Sequence, residues 1–571
     1  MTANPSRLLL FSLAILSALM ASAQGGVGIN NPTPHASALL DMMSTNKGLL
    51  TPRMTTAQRG AIATPATGLL VFDTTLSAFY YYDGTEWVPL ASGSAGWGTI
   101  GNAGTNVNTH FIGTTDNVSL SFRVNNIAAG RIDHVKQNTL FGPRAGMAIT
   151  TGTSNVVIGD SAGIVLDAGA ENTIVGDNAG RSALGAFTSW NTFLGSKAGE
   201  SFTNGNGNVY VGAWAGRLGS GSGVYGNTFI GTSAGYTGAT NGASTFIGSQ
   251  AGFSTSTGLW NTFIGSGSGF NNLDGNYNTF TGTSSGVANV GGDQNTIQGY
   301  QAGQFNVSGN DNTFLGYIAG RNSTASNNTF LGSWSGMGTT SGAENTFVGT
   351  ASGQNNSVGA DNALMGRAAG FSLTGDQNTM MGSRAGYSSV SGDNNTFHGY
   401  HAGYSNSGGN NNTYIGWSAG AVANLTNATA IGYSANVTAN NSLVLGGTGA
   451  NAVKVGIGTT APNAELEVNG YTMLGSAAPK VKMLKLTGTT AATQGGFVAI
   501  PHGLNAAKIL AVSVLVESAA GANWIPPSYT QFAGSQYDCL VHFVNIVIYN
   551  NGANSGNILG KPIKILITYE Q

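Results

Sequence analysis

The chain has 571 residues, of which only 8% are Asp, Glu, Lys or Arg, with a formal net charge of −2. Ordinary globular chains are about 25% charged; this balance, with no run of Lys or Arg, excludes electrostatic capture of nucleic acid or an anionic membrane surface. Glycine supplies 89 residues, more than twice its usual share of about 7%, but 41% of the chain is hydrophobic and those residues recur in register, which a disordered linker has no reason to maintain.

The first segment carries Arg7, an apolar run from Leu8 to Met20, and Ala21-Ser22-Ala23. This is the pattern of a signal peptide over residues 1–23, cut before Gln24, so the protein is expected to be exported to the extracellular space or cell surface. No other span of about 20 apolar residues follows, so the mature chain is expected to have no transmembrane helix. The single cysteine, Cys539, forms no intrachain disulfide, and an exported chain without one needs another source of stability. Residues 24–92 form an N-terminal β-rich module. Its close, GLLVFDTTLSAFYYYDGTEWVPL, predicts strands at Leu69–Asp73 and Ala78–Tyr82 and a turn at Asp83-Gly84 leading to Trp87. Residues 93–137 form a β-rich connector.

From Asn138 to Gly420 a nine-residue phrase, Asn-Thr-Phe-Ile-Gly-x-x-Ala-Gly, occurs seventeen times, as in Asn227–Gly235 and Asn312–Gly320. Starts are 17 residues apart in twelve of sixteen intervals and 16 or 19 in the rest. That period is too short for a helical hairpin or a propeller blade, so each copy is one coil of a parallel β-solenoid, a β-roll shaft over residues 138–447. The third position is always large and apolar and marks an inward or interchain core. The fourth is mostly Ile, Leu, Val or Met but admits Thr281, Gln298 and His398, and is expected to be less buried. The first is Asn except at Ser244, and stacked amides can bond from coil to coil. The second is a column of Thr, expected to serve as a strand former bonded within the stack rather than as an ice-binding face. One such coil encloses little volume, so the ring ladder is expected to be hidden by packing among three chains. With strands about 4.8 Å apart, nineteen coils make a rod on the order of 90 Å.

Residues 448–478 are a connector, and residues 479–571 change character. Lys480–Leu486, Gly496–Pro501, Ile509–Glu517, Asp538–Tyr549 and Ile563–Tyr569 alternate as strands, which predicts an antiparallel β-sandwich of about six strands. The fold class is therefore all-β: a parallel β-solenoid (β-roll) shaft, expected to be trimeric, followed by a C-terminal antiparallel β-sandwich.

The last, shorter turns, NATAIGYSANVTANNSLVLGG from Asn427 to Gly447, resemble the YadA-like head repeats of trimeric autotransporter adhesins. That resemblance implies a left-handed parallel β-roll shared by three chains. Gly26-Val27-Gly28-Ile29-Asn30-Asn31-Pro32 and Gly456-Ile457-Gly458-Thr459-Thr460-Ala461-Pro462 are similar to the G-[IV]-G-x-x-x-P segments of trimeric tail-fibre-like proteins. The final domain, in Gly496-Phe497, Ile509–Val514 and Ile563–Tyr569, faintly resembles the trimeric H-type lectin fold. Together these imply a homotrimeric fibre that attaches to a surface glycan or protein receptor.

Catalytic constellations are not found. The seven His residues are scattered, His398 and His401 fall on the surface of one coil, and G-x-S-x-G matches such as Gly265–Gly269 are products of the repeat. Loops such as Gly292-Asp293-Gln294-Asn295 offer one carboxylate each and are turns rather than calcium sites. No enzyme activity, metal or cofactor is expected. Aromatics outside the core positions, Trp190, Trp214, Trp260, Trp334 and Trp417 with Tyr236, Phe253, Phe270, Tyr387 and Tyr404, either bind a ligand or pack between protomers. In the last domain Trp524, Tyr529, Tyr537, Asp538, His542 and Asn545 combine stacking surface with hydrogen-bonding groups, as carbohydrate sites do, and are the candidate ligand-binding residues.

Overall fold

The computed structural model describes residues 26–90, 101–183, 188–219, 224–238, 242–421, 424–518 and 523–571. The signal peptide expected over residues 1–23 and the start of the 93–137 connector lie outside the described residues. The chain divides into two compact units, Met1–Thr114 and Thr115–Gln571.

In the first unit, Val27–Ile29 pairs in parallel with Leu40–Met42. Arg53–Met54, Leu70–Asp73, Ala78–Tyr82 and Trp87–Pro89 form a four-stranded sheet. The two strands predicted before Asp83 are present, and the turn is held as its chemistry suggests: Asp83 Oδ1 accepts the N–H groups of Thr85 and Glu86, each at 2.7 Å. A five-residue helix, Thr56–Gly60, starts on a capping box between Thr55 and Gln58. Its Arg59 turns inward, Nε 3.0 Å from Asp73 Oδ2, with the guanidinium 3.7 Å above the Tyr80 ring. Leu39 and Leu50 are 90% and 76% exposed. The unit by itself therefore leaves large apolar side chains in water.

The second unit opens on a hairpin, Leu120–Val124 and Ile127–Asp133, whose second strand pairs antiparallel with Asn138–Phe141. The hairpin covers the first edge of the ladder that follows, an edge otherwise open to further pairing. From there strands stack in parallel, each residue opposite its counterpart in the next copy, through Leu443–Leu445. The repeat phrase explains the register. The buried first-position Asn residues bond from coil to coil: Asn155 Nδ2 donates to Asn138 Oδ1 (3.0 Å) and to the Gly169 carbonyl (2.8 Å), while its Oδ1 accepts the backbone and side-chain N–H of Asn172 (3.0 Å each). A one-residue slip in any strand would orphan buried amides.

The third-position rings are fully buried and stack along the shaft, Phe229 on Phe246 at 4.7 Å and Phe246 on Phe263 at 4.8 Å. This corrects the expectation that three chains must share that core. Within one chain the coil folds back so that the eighth-position Ala or Ser and the ninth-position Gly lie against the ring. A Cβ built on Gly269 would sit 2.6 Å from the Phe263 ring. The coil is narrow enough for one side chain to fill it.

The C-terminal domain comprises β1 (Val481–Thr489), β2 (Phe497–Pro501), β3 (Ile509–Glu517), β4 (Trp524–Ile525), β5 (Tyr537–Val541), β6 (Asn545–Asn550) and β7 (Pro562–Glu570). They form two antiparallel sheets, ordered β1-β7-β3-β4 and β2-β6-β5. Ile546 and Ile548 on one sheet and Val514, Val516, Ile563, Ile565 and Ile567 on the other make the core. The run Asp538–Tyr549, predicted as one strand, is a hairpin: β5 and β6 pair from Val541↔Ile546 outward. Among the described residues no helix is long and apolar enough to cross a membrane.

Candidate functional site

Because strand side chains alternate, burial of the third column sends the second and fourth out of the shaft. The outer face of the ladder is thus a Thr column beside an apolar column. The fourth-position residues remain 37–49% exposed where they are large, as at Ile247, Leu331 and Met365. Thr side chains of the second column are half-exposed or exposed, so they project from the stack rather than bonding within it. They lack a second Thr column beside them.

Exposed aromatics of the turns also stack along the shaft: Trp260 on Tyr277 at 4.8 Å, Trp417 on Tyr433 at 4.7 Å, and the half-buried series Tyr236, Phe253 and Phe270 at 4.7 and 4.9 Å. Rings stacked this way cover one another's faces and present edges to solvent. They are poorly placed to lie flat against a sugar ring. Trp190 instead donates its indole N–H to Glu171. His398 is exposed, as expected. His401 is half-buried between Tyr400 and Tyr404, 4.0 and 4.7 Å from their rings. Burial, then the Arg384 charge one coil away, holds its pKa below the ordinary value.

The carboxylates of the Gly-Asp loops are occupied by turn bonds. Asp293 Oδ1 accepts the Asn276 N–H at 2.6 Å, and Asp393 Oδ1 that of Asp376 at 2.8 Å. Among the described residues no three His, Cys, Asp or Glu side chains gather to hold a metal ion.

The structure spreads the six C-terminal candidates over both sheets. Ile525 points into the core, so its neighbour Trp524 faces outward from the four-stranded sheet, under the Lys564 ammonium 3.6 Å from the ring centroid. Tyr537 is buried and bridges the sheets: its hydroxyl lies 2.6 Å from the Ile525 carbonyl and 3.0 Å from that of Val514. Burial pushes its pKa well up. The next residue, Asp538, faces out from the opposite sheet and accepts the Ser528 hydroxyl at 2.8 Å. Tyr529 packs on the core, with its hydroxyl donating to Gln531 at 2.7 Å.

His542 and Asn545 close the β5–β6 turn through the His542 N–H, which donates to the Asn545 carbonyl (2.8 Å). Beneath the tip, buried His502 accepts the Leu504 N–H at Nδ1, which leaves Nε2 protonated to donate to the His542 carbonyl at 3.1 Å. The tip exposes Phe543 (77%) and Val544 (51%), neither of which the sequence singled out. No Gly or Pro marks this turn, so nothing in the pattern separates it from a continuous strand. Trp524 and Asp538 therefore belong to opposite outer faces, and His542, Phe543 and Asn545 to a third place, the hairpin tip.

No curated protein and no solved structure matches the chain. Residues 28–108 match one family, described as a phage tail like trimerisation region, which places in the first unit a segment similar to those that assemble three chains.

Proposed function

We propose that the protein is the subunit of an exported, non-catalytic, homotrimeric fibre that mediates attachment. The observation that carries this reading is the coupling of a trimerisation-type segment to a long parallel solenoid whose outer face keeps a line of half-exposed residues that is apolar in most coils. Monomers rarely leave contiguous apolar surface of that extent in water. Three chains held together at residues 28–108 would bring three shafts to high effective concentration, with the fourth-position column turned toward the partners. The turns that resemble adhesin heads support the same reading.

Recognition of a glycan or protein receptor falls to the C-terminal domain, which alone combines a globular core with non-repeated exposed side chains such as Trp524, His542 and Phe543. The shaft then acts as spacer. Sedimentation of the secreted protein tests the assembly: a trimer is expected, and a monomer at micromolar concentration defeats the proposal. Binding to cells or a glycan array tests recognition. His542→Ala with Phe543→Ala should reduce binding and leave the trimer and its length unchanged. Full adhesion by a protein carrying both substitutions and Trp524→Ala would move the site to the repeats.

A further inference from the structure

The outward column contains a regular surface and three departures from it. Of its seventeen fourth-position residues, fourteen are apolar; the exceptions are Thr281, Gln298 and His398. All three share the strand position and outward direction of their apolar neighbours, and Gln298 and His398 are exposed. Nothing within the chain requires them there, because the coil's own core is closed by the third column and the Asn ladder.

We propose that Thr281, Gln298 and His398 are register keys, through which two further copies of this chain align coil for coil along the shaft. The proposal rests on the homotrimeric reading above and adds what fixes the alignment. A face repeating Thr and Ile every coil looks almost the same after a slip of one strand spacing, about 4.8 Å, and uniform surfaces specify register weakly. Three shafts around a common axis parallel to the ladder bring each outward residue against itself. Gln298 then meets two amides, each offering donor and acceptor. His398 meets two imidazoles and Thr281 two hydroxyls, with the same dual capacity. Slipped by one coil, one chain's Gln298 would face Leu315 while the other's met Thr281, and both His398 side chains would face apolar residues, Met381 or Ile415, leaving an amide and two imidazoles buried against apolar groups without partners. Gln298 and His398 are six coils apart, so no displacement other than zero matches both. A polar residue in an otherwise apolar seam serves this purpose elsewhere at some cost in stability.

The test uses the full chain with Cys539→Ser. Two differently tagged versions, one with Leu331→Cys and one with Val348→Cys, are mixed, dissociated by heat, refolded and treated with a short bismaleimide. With the keys present, cross-links are expected between like cysteines (331 with 331, 348 with 348) and not between 331 and 348. Adding Thr281→Val, Gln298→Leu and His398→Ile should raise the 331–348 product at least tenfold while trimers persist. Register retained in that triple variant, or equal mixed cross-linking in its parent, would overturn the proposal. A trimer with no 331–331 product would overturn the seam and leave the trimeric reading standing. A protein that sediments as a monomer would instead remove the trimeric reading itself.

Discussion

The Tyr537 hydroxyl sits 2.6 Å from the carbonyl of Ile525, on the other sheet of the C-terminal domain. It also approaches Val514 at 3.0 Å, so one side chain ties β5 to both β3 and β4. Tyr537→Phe keeps the ring and leaves buried carbonyls without this donor. The expected cost is about 1–3 kcal/mol, read as an earlier chemical unfolding transition of this domain. The glycan or cell binding proposed for this domain, measured below that transition, should be unchanged, since the residue offers nothing to solvent.

Arg59 and Asp73 make an acid-sensitive joint in the first unit. Burial pushes the Asp73 carboxyl up, but the N–H groups of Leu76 and Thr75, the Thr56 hydroxyl and the Arg59 charge outweigh it and hold it below the usual carboxylate range. A depressed carboxylate contributes stability that is fully present above its unfolded value, about pH 3.9, and is lost as pH falls through the lower folded value. Thermal scans from pH 2 to 7 should show the unit unaffected above pH 5 and weakening below pH 4. Asp73→Asn should unfold at lower temperature at neutral pH and lose that part of the acid dependence.

The two glycines of each coil differ in what they forbid. Gly265 has φ +132°, and an added Cβ would lie 2.5 Å from the Gly282 carbonyl oxygen, so the next coil's backbone blocks it. At Gly269, φ is +57° and the obstacle is the Phe263 ring. Gly265→Val and Gly269→Val should each cost about 2–6 kcal/mol from strain and overpacking. Bonding runs from coil to neighbouring coil, so hydrogen exchange should rise in the flanking coils and stay low in distant ones. Exchange that rises evenly along the shaft would show the coils to be one cooperative unit.

Ser244 interrupts the buried Asn ladder. Its hydroxyl accepts the Asn261 N–H at 3.2 Å, but it lacks the amide that elsewhere reaches the following turn, as Asn278 reaches the Gly292 carbonyl at 2.7 Å. Ser244→Asn should stabilise the shaft by about 0.5–1.5 kcal/mol, seen as a higher melting temperature and slower exchange at Asn227–Asn261. Asn312→Asp, which places a charge against the Ala325 carbonyl that now accepts Nδ2 at 2.9 Å, should do the reverse and more strongly.

The shaft was legible because identical phrases must occupy identical environments: seventeen copies state the strand, the corner glycines and the amide column seventeen times. The direction of the two apolar columns was legible too, since Thr281, Gln298 and His398 betray the exposed one. What the period could not convey is how far the rest of the coil folds over the third-position ring, and that distance lets one chain close its own core. The C-terminal domain is written once, without repetition to average over. Its β5–β6 turn carries His542-Phe543-Val544 in place of the usual turn residues, and its candidate residues were chosen by chemistry, with alternation across two sheets left out. Tyr537 and Asp538, adjacent in sequence, consequently point to opposite sides of one strand.

Coil-to-coil bonding has a consequence for how such a protein changes over generations. Insertion or loss of one complete 17-residue unit leaves every remaining amide with a partner above and below, and touches neither terminal domain. The shaft can therefore lengthen or shorten in steps of about 4.8 Å by unequal exchange within the coding repeat, so that its length becomes a quantity selection can adjust like a ruler.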